Sequence, residues 1–445
     1  MWGQYLNLPV EAPRMMLMGR RYEGRRWRAT AMAAALLLAA CAAYAEKQKQ
    51  EPKPEVVPAP IVRIAVTPLG FLPPSPAYLS LRLSWSSLNF IDPEHLLFTF
   101  HLNELLRRPP GAWWDSDGQM IRADVLDIRT GKVVKQAQWM MNDRGRYIWA
   151  LRNGKFMVRR RNSLYLTDSS LELKPYLVFE TDLQGVEISP RRRLMMLEVK
   201  KVTPVAAGDG GGNVPSLLGA DETKPVEQTR TEMVLLHPGE RTVLARAELR
   251  IPRSVPLMDD GVVETMNGDN PRQWMLEMQT IHKTMEKVGM VVSDCAPQVQ
   301  ALGSDVVLAL GCPPNEGNGS TVVAMKMGGE VLWHDRWESR YIWPTFDYSE
   351  DGQRFAYESL QADRDIGTLD SFGEADIVAQ PVGVFDTETG KLVLVEDATP
   401  ILSAGQNFAL SADGREFAIL QDGAIEVYDL PPVSVKAVET AEKKK

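Results

Sequence analysis

Phe408-Ala-Leu-Ser-Ala-Asp-Gly-Arg-Glu-Phe-Ala-Ile-Leu-Gln-Asp-Gly-Ala-Ile-Glu-Val-Tyr-Asp-Leu430 is the stretch whose reading decides the fold. It alternates short apolar strands with two tight turns, Asp413-Gly414 and Asp422-Gly423. Asp-Gly between apolar runs marks a hairpin, because Gly takes the positive φ that a primed turn requires. The stretch therefore predicts three antiparallel strands in succession.

Looser copies of this unit run back along the chain. Leu126-Asp-Ile-Arg-Thr-Gly-Lys-Val-Val134 is nearly repeated by Phe385-Asp-Thr-Glu-Thr-Gly-Lys-Leu-Val393, and weaker outer hairpins span 164–173, 233–244, 275–288 and 322–333. A second set of turns recurs at Ile91-Asp-Pro-Glu, Ile188-Ser-Pro-Arg, Tyr348-Ser-Glu-Asp-Gly and Leu410-Ser-Ala-Asp-Gly, and Arg146-Tyr-Ile-Trp149 is echoed by Arg340-Tyr-Ile-Trp343. The units return every ~40–50 residues, the spacing of four-stranded propeller blades. Six outer hairpins and an orphan last strand, Ile425–Leu430, give about seven blades. The orphan's expected partner is Ile61–Val66, so the two chain ends close the ring and remove an exposed edge. Segment 270–288 has some helical character, but its alignment with neighbouring hairpins favours strands. Thr203–Gln228 and Gln361–Gln380 are polar and aperiodic, and are expected to be mobile loops inserted within blades.

On these residues the chain resembles the WD40-like and YVTN-type β-propeller superfamily of exported bacterial proteins. The carriers are Ser349-Glu-Asp-Gly352, Ser411-Ala-Asp-Gly414 and the Asp-x-x-Thr-Gly-Lys turns at Asp127 and Asp386. The resemblance runs from Ile61 to Leu430. It departs from true WD40 repeats in lacking the blade-ending Trp-Asp and the matching Gly-His. The resemblance implies an all-β propeller and transfers no functional residue.

The rest of the chain sets the context. At 445 residues and 44% hydrophobic content, it can bury one large core or two ordinary ones. A net charge of -8 argues against nucleic acid as a partner. The triplets Arg159-Arg160-Arg161 and Arg191-Arg192-Arg193 are expected to be solvated strand ends rather than phosphate or lipid contacts.

At the N-terminus, five arginines between Arg20 and Arg28 precede the apolar run Ala29–Ala40, which is too short to span a bilayer. Residues 1–45 thus read as an export signal. Leu38-Ala-Ala-Cys41 resembles a lipobox, with Cys41 as the lipidated residue, while Ala43-Tyr-Ala45 fits ordinary cleavage; the former is preferred because a Pro-rich tether, 46–60, follows. The propeller is placed at 61–432 and a charged tail at 433–445. Cys295 and Cys312 are an expected disulfide of an exported protein.

No motif for catalysis stands out. Gly-x-Ser-x-Gly, His-Glu-x-x-His and Walker patterns are all missing from the sequence. Gly208-Asp-Gly-Gly-Gly lacks the strand and helix of a phosphate loop. Asp115-Ser-Asp117-Gly118 has too few carboxylates for a Ca²⁺ loop and reads as a solvated turn. The five histidines (His95, His101, His237, His282, His334) are scattered, the methionines between Met258 and Met290 read as core filling, and Trp113, Trp114, Trp149, Trp333, Trp337 and Trp343 read as wedges between blades. No cofactor is expected. The expected function is non-catalytic: a monomeric binding or scaffold module of a bacterial cell envelope, with a lipid anchor and a protein or peptide partner. The alternative is an exported oxidoreductase or hydrolase with an axial site. The residues lining the axial channel discriminate the two: convergent histidines or carboxylates there would revive the enzyme, and an apolar or solvated channel would not.

Overall fold

The computed structural model describes residues 59–74, 84–102, 118–142, 145–204, 227–249, 255–313, 319–366, 373–402 and 404–433. The signal, Cys41, the tether up to residue 58 and the tail from 434 lie outside them.

The strands pair into seven sheets, each built around consecutive antiparallel strands. Blade 1 holds Ser84–Asp92, His95–His101, Gln119–Asp127 and Val133–Met141. Blade 2 runs from Ile148 to Val178 and blade 3 from Leu183 to Leu249. In blade 4 three strands, Gly261–Asn267, Gln273–Thr280 and Met285–Val292, are joined on the inner side by a single bridge from Leu257 to Val262. Blades 5 and 6 follow, from Gln298 to Trp337 and from Tyr341 to Asp397. Blade 7 holds Phe408–Leu410, Glu416–Gln421 and Ala424–Asp429. Segment 270–288 is strand, turn and strand, with no helix.

Closure is made by the chain ends. Val62–Ala65 adds to the outside of blade 7 in register Val62↔Val427 to Ala65↔Ala424. Ile64 and Val66 are buried there, which stabilises the seam by about 1.5–3 kcal/mol for each side chain. A second seam lies inside: Ala404–Gln406 runs parallel to the innermost strand of blade 1 just before the chain enters blade 7. The molecule is a seven-bladed β-propeller.

Its core lies between the blades. Seven apolar clusters each join one blade to the next, from Leu97, Ile121 and Trp139 against Tyr147 and Phe156 (blades 1 and 2) round to Ile425 and Val427 against Leu88 and Phe98 (blades 7 and 1). A middle strand is therefore covered on both faces, and its sequence reads as a continuous apolar run, as in Leu96-Leu-Phe-Thr-Phe100.

The turns explain the recurring motif. In blade 7, Ser411 Oγ donates to Asp413 Oδ1 (2.9 Å) and accepts from the Glu416 amide (2.9 Å), while Gly414 sits at φ +66°. Blade 6 repeats this with Ser349, Asp351 and Gly352. In blade 3 the equivalent turn is Ser189-Pro-Arg-Arg192. Ser189 finds its carboxylate on the next blade, at Asp259 (2.7 Å), and Arg192 occupies the positive-φ place, at +58°.

Antiparallel alternation sorts the connections by face. Turns between first and second strands, and between third and fourth, all lie on one face and are short. The second-to-third connections and the links between blades lie on the other. There the long segments begin and end: 103–117 in blade 1, 205–226 in blade 3, 312–319 in blade 5 and 363–376 in blade 6. The expectation of loops at Thr203–Gln228 and Gln361–Gln380 needs correcting at its edges. Pairing continues to Pro204↔Glu227, and a 3-10 turn, Glu374–Asp376, leads into a short strand, Ile377–Ala379, that pairs with Gln361 and Ala362.

Candidate functional site

The innermost strands of blades 2, 3, 5 and 6 wall an axial cavity of about 470 Å³. Blade 2 supplies Arg146 and Trp149, blade 3 Glu187 and Ile188, blade 5 Gln300, and blade 6 Phe346, Asp347 and Tyr348. A side cavity of about 240 Å³ continues from Glu187 and Gln300 toward Leu257 and Thr265 of blade 4.

Each polar group is held by the blade that carries it or by its neighbour. The Arg146 guanidinium donates through Nε to the Ile148 carbonyl (3.2 Å) and through Nη2 to Gln406 Oε1 (3.4 Å), and lies 5.7 Å from the Trp149 ring centre. Its Nη1 makes no hydrogen bond to any described residue. Asp347 Oδ2 accepts from the Leu410 amide of blade 7 (2.8 Å). The Tyr348 hydroxyl accepts from Gln300 Nε2. Solvent in the cavity reaches Arg146 and Glu187, although protein surrounds both.

The electrostatics follow from this enclosure. Desolvation raises the carboxyls of Glu187 and Asp347, with Arg146 opposing it at Glu187 and Arg192, the Leu410 amide and Arg146 opposing it at Asp347. Desolvation also lowers the Arg146 guanidinium, against the pull of Glu187 and Asp347. Arg146 forms no ion pair within contact distance of either carboxylate, so the opposite charges face one another across open space.

The mouth on the short-turn face is bridged. Arg192 Nη1 donates to Glu350 Oε1 (2.8 Å) and to the Leu151 carbonyl (3.3 Å), and Arg191 Nε donates to the Glu350 carbonyl (3.2 Å). These bonds tie the turns of blades 2, 3 and 6 across the axis. Arg146 precedes its strand, Ile148–Ala150, and so stands at the opposite mouth, on the face bearing the long connections.

The sequence-predicted residues fare unevenly. The sulfurs of Cys295 and Cys312 are bonded, joining the blade 4-to-5 link to the blade 5 loop. Residues 115 and 117, Trp113, Trp114 and the glycine run at 208–212 lie outside the described residues. The histidines do not meet: His95 binds Asp92, His101 packs on Tyr147, and His237 binds the Arg193 carbonyl. Among the described residues no group of three or more His, Cys, Asp or Glu is placed to hold a metal.

Two readings need correction. Arg192 is not a solvated strand end but a cross-axis tie, because its left-handed backbone turns the side chain inward; Arg159 likewise donates to the Leu183 carbonyl of blade 3. Met285 and Met290 are about half exposed on the outer strand of blade 4, whereas Met258 and Met278 do fill the core. Trp149 and Trp333 do act as wedges: Trp149 is buried between blades 2 and 3 and also borders the cavity, and Trp333 bonds the Thr387 carbonyl and joins blades 5 and 6.

Glu187, Asp347 and the placement of Arg146 were missed in the sequence. One signal was present. Aligning the inner turns on Ser189, Ser349 and Ser411 puts Glu187, Asp347 and Ala409 at the same position, two residues before the serine.

No family model matches the chain, and no curated protein matches it. Solved structures do. The Pyrococcus horikoshii acylaminoacyl peptidase is 10% identical with a TM-score of 0.43, over 79% of this chain and 53% of that one. A TolB structure from Agrobacterium tumefaciens is 12% identical with a TM-score of 0.38, over 71% and 99%. The β-propeller domain of the Trilobed protease from Pyrococcus furiosus is 8% identical with a TM-score of 0.42, over 78% and 96%. The chain spans about half the length of the peptidase chains it matches. Similarity at this level concerns the fold and carries no chemistry.

Proposed function

We propose that this chain is a non-catalytic binding module of a bacterial cell envelope, of the WD40-like or YVTN-type kind, exported and held to a membrane through a lipid on Cys41. It grips a protein or peptide segment at the face that bears the long connections. The observation that supports this reading is the asymmetry of the axis. One mouth is tied by Arg192 and Glu350, while Arg146 enters the polar cavity from the side of the long connections. Propellers present variable loops on a rigid ring, and such a pocket beside them suits recognition. The two carboxylates that converge in the cavity are the feature that would revive the exported-enzyme alternative; because they face a fixed arginine, we read them as ligand-holding groups. The disulfide between Cys295 and Cys312 is the form expected in an oxidising compartment.

Two measurements test the proposal. Cys41→Ser should move the protein from the membrane fraction to the soluble fraction. Capture from an envelope extract should retain one stoichiometric partner on the wild-type chain and lose it on Arg146→Glu. A stoichiometric metal or chromophore in the purified protein would overturn the reading in favour of an exported oxidoreductase or hydrolase.

A further inference from the structure

The cavity holds opposite charges that have not paired. Arg146 keeps Nη1 free of described partners on the side of the long connections. Glu187 makes no hydrogen bond to any described residue, and Asp347 accepts only from the backbone. Arg192, the other arginine of the wall, is committed to Glu350 at 2.8 Å. Arg146 and Glu187 are solvent-exposed within the cavity and Asp347 is half-buried, so a ligand that carries the complementary charges can reach all three.

The charges are also ordered along the axis. Glu187 and Asp347 each stand two residues before the turn that ends their inner strand, near the tied mouth. The backbone of Arg146 lies ahead of its strand, toward the other mouth, and its guanidinium folds back to the Ile148 carbonyl and the Trp149 ring. A ligand bridging them needs a positive group at its deep end and a negative one at its outer end. The cavity wall runs along one strand from Pro344 to Tyr348, about 13 Å by strand rise, a length that an extended chain of two or three residues fits at ~3.3 Å each. Phe346 and Trp149 supply apolar wall beside the charged groups, and the cavity volume of about 470 Å³ admits such a ligand.

We propose that the axial cavity binds a short peptide with free termini, its ammonium between Glu187 and Asp347 and its carboxylate on Arg146. The inference rests on the binding-module reading and names the ligand of the same site. Burial raises both carboxyls in the unliganded cavity, and a bound ammonium opposes that shift.

Calorimetric titration of the purified full chain with four probes tests it: trialanine, N-acetyl-trialanine, trialanine amide and the doubly blocked form. Trialanine should bind, and blocking either end should weaken binding at least about tenfold. Arg146→Gln should no longer distinguish the acid from the amide, and Glu187→Gln should no longer distinguish the free amine from the acetylated one. Circular dichroism and the urea midpoint report that each variant is folded. Glu248→Gln, on the outer strand of blade 3, should behave as wild type. Equal binding of the doubly blocked probe overturns the proposal. So does no binding of trialanine; if envelope capture still retains a partner, the binding-module reading survives that failure. Trialanine binding without a captured partner leaves the cavity assignment standing and removes the protein-partner reading.

Discussion

Replacing Arg354 tests how the last two blades are fastened. Its side chain is 1% exposed, and its guanidinium reaches three segments. Nε donates to Asp386 Oδ1 (3.1 Å) within blade 6, Nη1 to the Gly414 carbonyl (2.7 Å) in the turn of blade 7, and Nη2 to the Pro431 carbonyl after the last strand. Arg354→Met keeps the aliphatic stem but leaves the Asp386 carboxylate buried beside a lost partner. Breaking one side of such a pair costs about 3–5 kcal/mol, most of it for the uncompensated charge. A cooperative unit of roughly 370 residues, at about 2.1 cal/mol/K per residue, has an unfolding entropy near ~0.8 kcal/mol/K, so Tm should fall by about 4–6 °C. The double variant Arg354→Met/Asp386→Leu removes both charges and should regain more than half of the loss. Urea and thermal unfolding followed by circular dichroism measure all three proteins. A single variant within ~1 kcal/mol of wild type, or a double variant no better than the single, refutes the account.

Two further outcomes follow from the same packing. Glu358 is 3% exposed and accepts from Gln380 Nε2 (2.7 Å), and burial pushes its carboxyl up to about 7. Unfolded Glu titrates near ~4.3, so the folded protein binds the extra proton between those values, and this contribution to stability is lost as pH rises from about 4 through 7. Glu358→Gln should therefore match wild type near pH 4 and exceed it above pH 8 by up to ~3 kcal/mol; parallel stability curves for the two proteins would contradict this. At the seam, Ile64→Ala should cost about 2–4 kcal/mol, because the side chain is 4% exposed against blades 7 and 1. If instead the change proves neutral in urea, the N-terminal strand does not hold the ring closed.

Much of this architecture is local chemistry and was legible in the sequence. The Asp-x-x-Thr-Gly-Lys turn is one case: Asp127 accepts from the Thr130 amide (2.7 Å) and hydroxyl, and Gly131 takes φ +66°. Such contacts span three or four residues, so composition alone specifies them. Two-sided burial in a ring of blades turns middle strands into apolar runs, which set the period and hence the blade count. The pairing of Val62–Ala65 with Ala424–Asp429 was readable because a last strand without a partner implies one at the other end of the chain.

The cavity was not legible in this way. Glu187 and Asp347 are 160 positions apart in the sequence and meet only because the ring brings blades 3 and 6 to a common axis. Arg192 looks like one of three surface arginines until its left-handed φ of 58° aims it at Glu350. Strand periodicity says which side chains leave the sheet on the same side. It does not say what stands opposite them, and that is decided by the curvature and closure of the whole ring. The sequence by itself determined the repeating strand-and-turn unit and the seam that joins its ends, because both are set by neighbours along the chain or in one sheet. Only the tertiary structure decided which charges share the axis and which mouth is tied, because those depend on distances between blades that no local pattern encodes.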